Sequence, residues 1–164
     1  MSACSSMALR PLSAVILLAL SSTSFGASFT IQDGETVTTQ QTLNDNETGT
    51  IETGGELSTS GVTAIDAPGD NANIESNGSI TTSGDNAYGI YSRGNNATIS
   101  NNGNIIGSGK NAVRILSTGD YATINNSGNI STSGAGSYGI LSEGNNTTNN
   151  SGSISTTGEN ADGI

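Results

Sequence analysis

The segment that decides the fold runs from Gly78 to Asn102 and reads GSITTSGDNAYGIYSRGNNATISNN. Related segments begin at Gly103, Gly128 and Gly152, reading GNIIGSGKNAVRILSTGDYATINNS, GNISTSGAGSYGILSEGNNTTNNS and GSISTTGENADGI, and a looser copy, GELSTSGVTAIDAPGDNANIESN, begins at Gly55. Each copy is too polar to bury a core by itself. Self-similarity at a period of about 25 residues is typical of a solenoid, in which neighbouring repeats bury one another.

Three apolar positions recur in each copy, separated by turns rich in Gly, Asn and Asp. A short alternating stretch, such as residues 97–100, surrounds each of them and is typical of a strand of about three to five residues. We therefore predict an all-β fold, a parallel, right-handed β-helix with three short strands in each coil of about 25 residues. Coils stacked in register would align these core ladders: Ile80, Ile105, Ile130 and Ile154; Ile90, Ile115, Ile140 and Ile164; Ile99 and Ile124.

Polar residues repeat at the same period and predict side-chain ladders of their own. Asn86 and Asn111 form one such pair, and Asn101, Asn126 and Asn150 form a longer series. The fourth copy, from Gly128, is one residue short and lacks the third Ile of the repeat.

The composition restricts the classes of function. The 164-residue chain is 32% hydrophobic and 11% charged, with 23 Gly and no His. Low hydrophobicity is also a mark of disorder, but disorder does not explain why Ile and Leu recur at fixed positions. The net charge of −10 disfavours nucleic acid and anionic membranes as partners.

The first 26 residues read as a secretory signal rather than as part of the fold. Arg10 precedes an apolar run over residues 12–20, and small residues follow up to Gly26, the expected cleavage site. Cleavage there removes Cys4, so no disulfide is expected, and removes Arg10, which leaves three basic and 14 acidic residues and a net charge of −11. We predict a signal peptide (1–26), an N-terminal cap segment (27–54) and β-helix repeats (55–164) that are truncated at the C-terminus.

The signal, the opening TIQDGETVTTQQTLNDNETGTIETGG (residues 30–55) and the repeated GDNAYGIYSRGNNATISNNG resemble the passenger domain of a bacterial autotransporter (type V secretion) protein. The resemblance implies a β-helical passenger, a location at the cell surface, in the outer membrane or outside the cell, and adhesion as a common role. Such proteins cross the outer membrane through a C-terminal β-barrel. No segment of this sequence has the strands of about ten alternating residues that a barrel needs, so we expect an N-terminal fragment without its translocator.

Candidate catalytic residues are few. Without His the usual Ser-His-Asp arrangement is excluded. Asp70 and Asp120 occupy equivalent turns two coils apart, with Asn95 between them, at a separation compatible with an inverting carboxylate pair. Solvated turn residues are the simpler interpretation. We predict no catalytic, cofactor-binding or metal site.

Candidate interaction residues form two groups. If Ile90, Ile115 and Ile140 point inward, strict alternation places the next residues, Tyr91, Leu116 and Leu141, outward as an apolar stripe. The alternative is that the strand bends and both residues enter the core. Arg93, Lys110 and Arg114 form a basic group that is a candidate patch for glycans or anions, with an exposed ion pair expected between Lys110 and Asp85.

The function expected from the sequence is non-enzymatic: a stalk or adhesive surface within an autotransporter passenger, without cofactors. Host-surface molecules or further copies of the chain are the expected partners. A fragment of a β-helical glycan-active enzyme and a non-functional truncated product remain as alternatives.

Overall fold

Seventeen short strands build the fold of residues 27–164, the part of the chain that the computed structural model describes. They form three parallel sheets, and the chain visits sheets 1, 2 and 3 in turn before it returns to sheet 1. The prediction of an all-β solenoid with three strands per coil and coils of about 25 residues is confirmed. The predicted signal peptide, residues 1–26, lies outside the described residues.

Each sheet contains one strand from every coil that it crosses. Sheet 1 contains β1 (Phe29–Ile31), β4 (Thr48–Ile51), β7 (Asn73–Ser76), β10 (Thr98–Asn101), β13 (Thr123–Asn126) and β16 (Thr147–Asn150). Sheet 2 contains β2 (Thr36–Val37), β5 (Glu56–Ser60), β8 (Ser79–Ser83), β11 (Asn104–Gly107), β14 (Asn129–Thr132) and β17 (Ser153–Thr156). Sheet 3 contains β3 (Gln41–Thr42), β6 (Ile65–Ala67), β9 (Ile90–Ser92), β12 (Val113–Ser117) and β15 (Tyr138–Ser142). No helix in residues 27–164 is long and apolar enough to cross a membrane.

The core is a set of Ile ladders, one inside each sheet. In sheet 2 Leu57, Ile80, Ile105, Ile130 and Ile154 are successive register partners. In sheet 3 the series is Ile65, Ile90, Ile115 and Ile140, and in sheet 1 it is Ile74, Ile99 and Ile124. All of these side chains are buried except that of Ile154, which is partly buried. The interior is therefore filled mainly by one apolar residue from each side of each coil.

Residues before Gly55 extend the same three sheets. Phe29 pairs with Gly49, Thr36 with Glu56, and Gln41 with Ile65, so the segment predicted as an N-terminal cap, residues 27–54, contributes β1 to β4 to the solenoid. Its first register partners lie 20 residues apart rather than 25. This first coil is therefore shorter than the others, and it has the same fold although its sequence lacks the repeat motif.

The residue missing from the fourth copy is absorbed in a turn. The amide of Asn145 donates to Oδ1 of Asp120, 25 positions earlier, whereas Thr147 pairs with Thr123, 24 positions earlier. The coil is therefore shortened between Asn145 and Thr147. The strand that follows keeps its register, and Thr148 takes the position that Ile124 has in the coil below.

Ile164 departs from the predicted core ladder. The amide of Ile140 donates to the carbonyl oxygen of Gly163, which places Ile164 in the expected coil. Its side chain is nevertheless 66% exposed. The reason is geometric, since a side chain in a ladder is buried by the coils on both sides and Ile164 has a described neighbour on one side only.

Asn residues support the coils in two different ways. Nδ2 of Asn101 donates to Oδ1 of Asn126 at 2.7 Å, and Nδ2 of Asn126 donates to Oδ1 of Asn150 at 2.7 Å, so this predicted ladder is present and partly buried. Asn86 and Asn111 have positive φ angles and bond to the next coil through their backbone amides. Short polar side chains tolerate this left-handed conformation, which the tight turns require.

Tyr121 occupies a turn position for which its side chain is poorly suited. Its φ is 60°, and the other six non-Gly residues with positive φ in the described chain are all Asn. The ring is 67% exposed, so packing compensates little for the strain. A bulky residue in the left-handed region costs about 1–2 kcal/mol.

Replacing Tyr121 with Asn is expected to raise the free energy of unfolding by about 1 kcal/mol, because Asn tolerates the left-handed conformation. Urea unfolding of residues 27–164 measures the change. Tyr121→Phe is the matched control, since it keeps the strained conformation and should leave stability unchanged. Equal stability of the Asn and Tyr proteins would contradict this account of the turn.

Candidate functional site: an outer cluster on sheet 3

In sheet 3 two consecutive residues of one coil, such as Gly89 and Ile90 or Gly139 and Ile140, both point inward, which breaks the alternation normal for a strand. Ile90 belongs to the interior cluster, and a Cβ on the preceding Gly89 would lie 2.8 Å from Cγ2 of Ile105. A Cβ on Gly139 would similarly lie 2.5 Å from Cγ2 of Ile154. The residues before and after each inward pair therefore lie together on the outer side of the sheet.

Two rows of outward side chains result. In one row Val113 lies between Tyr88 and Tyr138, and in the other Leu116 lies between Tyr91 and Leu141. Val113 is 5% and Leu116 7% exposed, although neither belongs to the interior cluster, because their neighbours in the rows cover them. The six residues, called the outer cluster from here on, are Tyr88, Tyr91, Val113, Leu116, Tyr138 and Leu141.

The lower edge of the outer cluster is held by aromatic and ionic contacts. The rings of Tyr88 and Tyr91 meet edge to face with centroids 5.3 Å apart. The guanidinium carbon of Arg93 lies 5.3 Å from the centroid of Tyr91. Nη2 of Arg93 also contacts Oδ1 and Oδ2 of Asp66 at 2.8 and 2.7 Å, the single salt bridge within residues 27–164. These contacts fix the orientation of Tyr91.

The predicted stripe accounts for half of the outer cluster. Tyr91, Leu116 and Leu141 are successive register partners outside the interior, as strict alternation from the inward Ile residues requires. The second row was missed because the inward pair at residues 89–90 departs from alternation. A signal for it existed in YGIY, VRIL and YGIL, where a large residue stands three positions before each member of the stripe.

A third row of residues lies beside the outer cluster and differs in charge from coil to coil. The serines at 92, 117 and 142 are register partners, so the residues that follow them, Arg93, Thr118 and Glu143, are aligned as well. All three are exposed. Along the solenoid axis this row is positive below the middle coil, neutral beside it and negative above it.

The basic patch predicted at Arg93, Lys110 and Arg114 is wrong. Arg114 is fully buried, with 0% of its surface exposed, so it cannot contribute to a surface patch. The predicted Lys110–Asp85 ion pair is also replaced by another contact, because Oδ1 of Asp85 accepts the backbone N–H of Lys110 at 2.9 Å. Arg93 is instead paired with Asp66.

Arg114 is held in the interior by neutral acceptors. Its Nη1 donates to Oγ1 of Thr82 at 2.5 Å, and its Nη2 donates to the carbonyl oxygen of Ala87 at 3.3 Å. Its Nε has no partner. Burial lowers the pKa of Arg114 to about 10, so the side chain stays charged at neutral pH. The cationic side chain therefore costs stability that its two hydrogen bonds only partly offset.

The interior accommodates Arg114 through a second change in the same repeat. Arg114 replaces a Gly that neighbouring coils have at 89 and 139, and Gly107 replaces a Thr that they have at 82 and 132. A Cβ on Gly107 would overlap Nη1 of Arg114. The guanidinium thus fills the space that a Thr side chain has in the coils above and below. Both exchanges are visible in the sequence, but Arg is assigned to the surface by default.

The candidate carboxylates form part of a turn ladder. Oδ1 of Asp70 accepts the backbone N–H of Asn95 at 2.7 Å, Oδ1 of Asn95 accepts that of Asp120 at 3.0 Å, and Oδ1 of Asp120 accepts that of Asn145 at 3.1 Å. Each side chain therefore connects one coil to the next. In the described part of the chain no three His, Cys, Asp or Glu residues are grouped so that they could hold a metal ion.

A scan against protein-family models, a search of the curated proteins and a search of the solved structures found no match to this chain. Arguments about function therefore start from the residues of the solenoid.

A double-mutant cycle tests the exchange of Arg114 and Gly107. Gly107→Thr alone is expected to destabilise the protein strongly, because its side chain meets the buried guanidinium. Adding Arg114→Gly should recover stability, with a coupling energy of about 1–3 kcal/mol in urea unfolding of residues 27–164. Gly107→Thr combined with Lys110→Ala, an exposed change, serves as the control and should be additive. If the effects of Gly107→Thr and Arg114→Gly on the free energy of unfolding were additive, the two side chains would not compete for the same space.

Proposed function

We propose that the chain is part of an exported, autotransporter-like passenger in which the solenoid is a stalk and the outer cluster is its adhesive surface. The observation that carries the proposal is the continuous parallel stack. Every sheet runs the length of the described chain without interruption by an inserted domain or long loop. Such a stack resists bending because three hydrogen-bonded sheets and three packed ladders join each coil to the next.

The surface composition supports the adhesive part of the proposal. Outward positions of the solenoid are mainly Asn, Ser, Thr and acidic residues, as on the exposed face of β14, where Asn129 and Ser131 alternate with buried residues. Against this background the outer cluster gathers six apolar or aromatic side chains in three successive coils, of which four are partly exposed and two, Val113 and Leu116, are covered by the others. Contiguous apolar surface of this kind is a mark of interaction sites.

The proposal assigns no chemical reaction to the chain. Asp70 and Asp120, the carboxylates considered for glycan hydrolysis, serve as acceptors for backbone amides of the next coil. That contact gives them a structural role without any reference to catalysis. A stalk needs only a repetitive interior and an exterior that presents side chains to partners.

Export is tested by expressing the whole chain in a Gram-negative bacterium and determining the N-terminus of the product outside the cytoplasm. Cleavage after Gly26 is expected, so that the mature protein begins at Ala27. Leu17→Arg, which interrupts the apolar run, is expected to leave the chain uncleaved in the cytoplasm. A wild-type chain that stays uncleaved inside the cell would overturn the assignment of residues 1–26 and of the location.

Adhesion is tested with residues 27–164 coupled to beads that are then applied to epithelial cells or to each other. The triple variant Tyr91→Ser, Leu116→Ser and Leu141→Ser is expected to reduce bead binding at least about tenfold, because it removes one row of the outer cluster. Ile106→Ser is the matched control, as Ile106 is 47% exposed on sheet 2 and lies outside the cluster. Equal binding by the triple variant and the wild type would remove the outer cluster from the proposal.

A further inference from the structure

Two Asn-Gly dipeptides occupy the same turn in successive coils. Asn77-Gly78 lies between β7 and β8, and Asn102-Gly103 lies between β10 and β11. An Asn that precedes Gly deamidates readily, because Gly has no side chain to keep its backbone nitrogen away from the Asn carboxamide. The surroundings of the Gly nitrogen therefore decide whether each site reacts in the folded chain.

The backbone nitrogen is hydrogen-bonded at Gly103 and not at Gly78. The amide of Gly103 donates to the carbonyl oxygen of Ser76 at 3.0 Å, and the amides of Gly128 and Gly152 make equivalent bonds to the coil below, each at 3.0 Å. The amide of Gly78 donates to no acceptor within residues 27–164. A nitrogen that is already engaged as a donor must first lose its bond before it can attack a carbonyl carbon, so Gly78 has the more available nucleophile.

The difference comes from the turn in the coil below. Ile51 pairs with Ser76 and Glu56 pairs with Ser79, so the lower turn has two more residues than the turn that contains Gly78. The chain below takes a different path there, and the carbonyl oxygen of Ile51 accepts the amide of Asn77 alone, at 2.8 Å. The later coils have turns of equal length and keep the second bond.

The carboxamide of Asn77 is polarised by its neighbours. Its Oδ1 accepts Nδ2 of Asn102 at 2.9 Å, and its Nδ2 donates to Oε1 of Glu75 at 3.0 Å. The bond from Asn102 stabilises the negative charge that develops on Oδ1 when a nucleophile adds to Cγ. Asn77 is also partly exposed, so water reaches the site. An unbonded nucleophile and a polarised carbonyl therefore stand on adjacent residues.

We propose that Asn77 is a site of spontaneous deamidation in the folded chain, with the backbone nitrogen of Gly78 as the nucleophile. The nitrogen loses its proton to solvent and bonds to Cγ of Asn77, and the Cγ–Nδ2 bond breaks as ammonia leaves. Water then opens the cyclic imide. Attack of water at Cγ gives Asp, and attack at the main-chain carbonyl carbon gives isoaspartate. The reaction consumes water, releases ammonia and needs no oxidant or reductant.

Both products weaken the turn between β7 and β8. A carboxylate at position 77 no longer donates to Glu75 and is repelled by it, because the two groups then carry like charges. Isoaspartate also lengthens the main chain by an atom, while Ser76 and Ser79 on either side remain paired with other coils. The chain thus acquires negative charge and local strain with age. This modification depends on neither export nor adhesion.

Peptide mapping of the aged chain tests the proposal. The purified chain is incubated at mildly alkaline pH and then digested briefly in mild acid by proteases that cleave after Glu, Lys and Arg. Residues 76–93 and 94–110 are then released separately, each with one Asn-Gly. Mass spectrometry is expected to find conversion at Asn77 at least about fivefold faster than at Asn102, the factor for opening one backbone hydrogen bond.

The unfolded chain is the control for the contribution of the fold. In guanidinium chloride Asn77 and Asn102 are expected to react at similar rates, because neither Gly amide is then bonded within the chain. Equal rates at the two sites in the folded chain would overturn the proposal. So would an Asn77 that stays intact when folded but reacts when unfolded.

The variant Asn102→Ser tests the contact with Oδ1. It is expected to slow conversion of Asn77 at least about twofold, since an exposed hydrogen bond contributes less than one in a site without water. Asn149→Ser is the matched control, because Asn149 makes the same kind of exposed contact to Asn125 at 3.0 Å and lies far from the turn. Circular dichroism establishes that both variants are folded. An unchanged or faster rate in Asn102→Ser would remove Asn102 from the reaction.

Discussion

Hydrogen bonding between equivalent strands of successive coils is the interaction on which the whole structure depends. In the three sheets of residues 27–164 each strand pairs with strands of neighbouring coils, and none pairs with a strand of its own coil. Strands of two to five residues are too short to be stable by themselves. The ladders of Ile and Asn, the turn contacts of Asp70 and Asp120, and the outer cluster all follow from that one register.

The same register explains how the chain tolerates unusual residues. Arg114 introduces a charge into an interior that is otherwise apolar or neutral, yet the change is confined to positions that contact it directly in sheets 2 and 3. Gly107 provides the space and Thr82 an acceptor. The coil before Gly55 is shorter, and the coil that contains Asn146 is one residue short. Both differences in length are likewise absorbed in turns, because the strands on either side regain their partners. Variation in a solenoid is local, since each coil contacts only its neighbours.

Much of the fold could be predicted from the sequence because the repeat reports the contacts directly. Recurrent Ile residues gave the number of strands per coil, their register and the core, and recurrent Asn residues gave the ladder from Asn101 to Asn150. The coil before Gly55 was not recognised as a coil, because its strands pair in register with the next coil although its sequence does not repeat the motif. Arg114 was wrongly predicted to lie on the surface. The usual preference of Arg for the surface is overridden here because Gly107, which has no side chain, leaves room for the guanidinium in the interior. The row containing Val113 was missed because two successive inward residues break alternation.

The absence of pairing within a coil also determines how the molecule responds to force. Tension on the two ends of the chain loads the outermost coil first, and its bonds are made only to the next coil. Coils would then detach singly, each releasing about 25 residues, or about 80 Å of extended chain. A rod built in this way dissipates work in repeated small steps, and each step can be reversed because the remaining coils present an intact template. A solenoid with this property stretches under load without losing the whole of its folded structure.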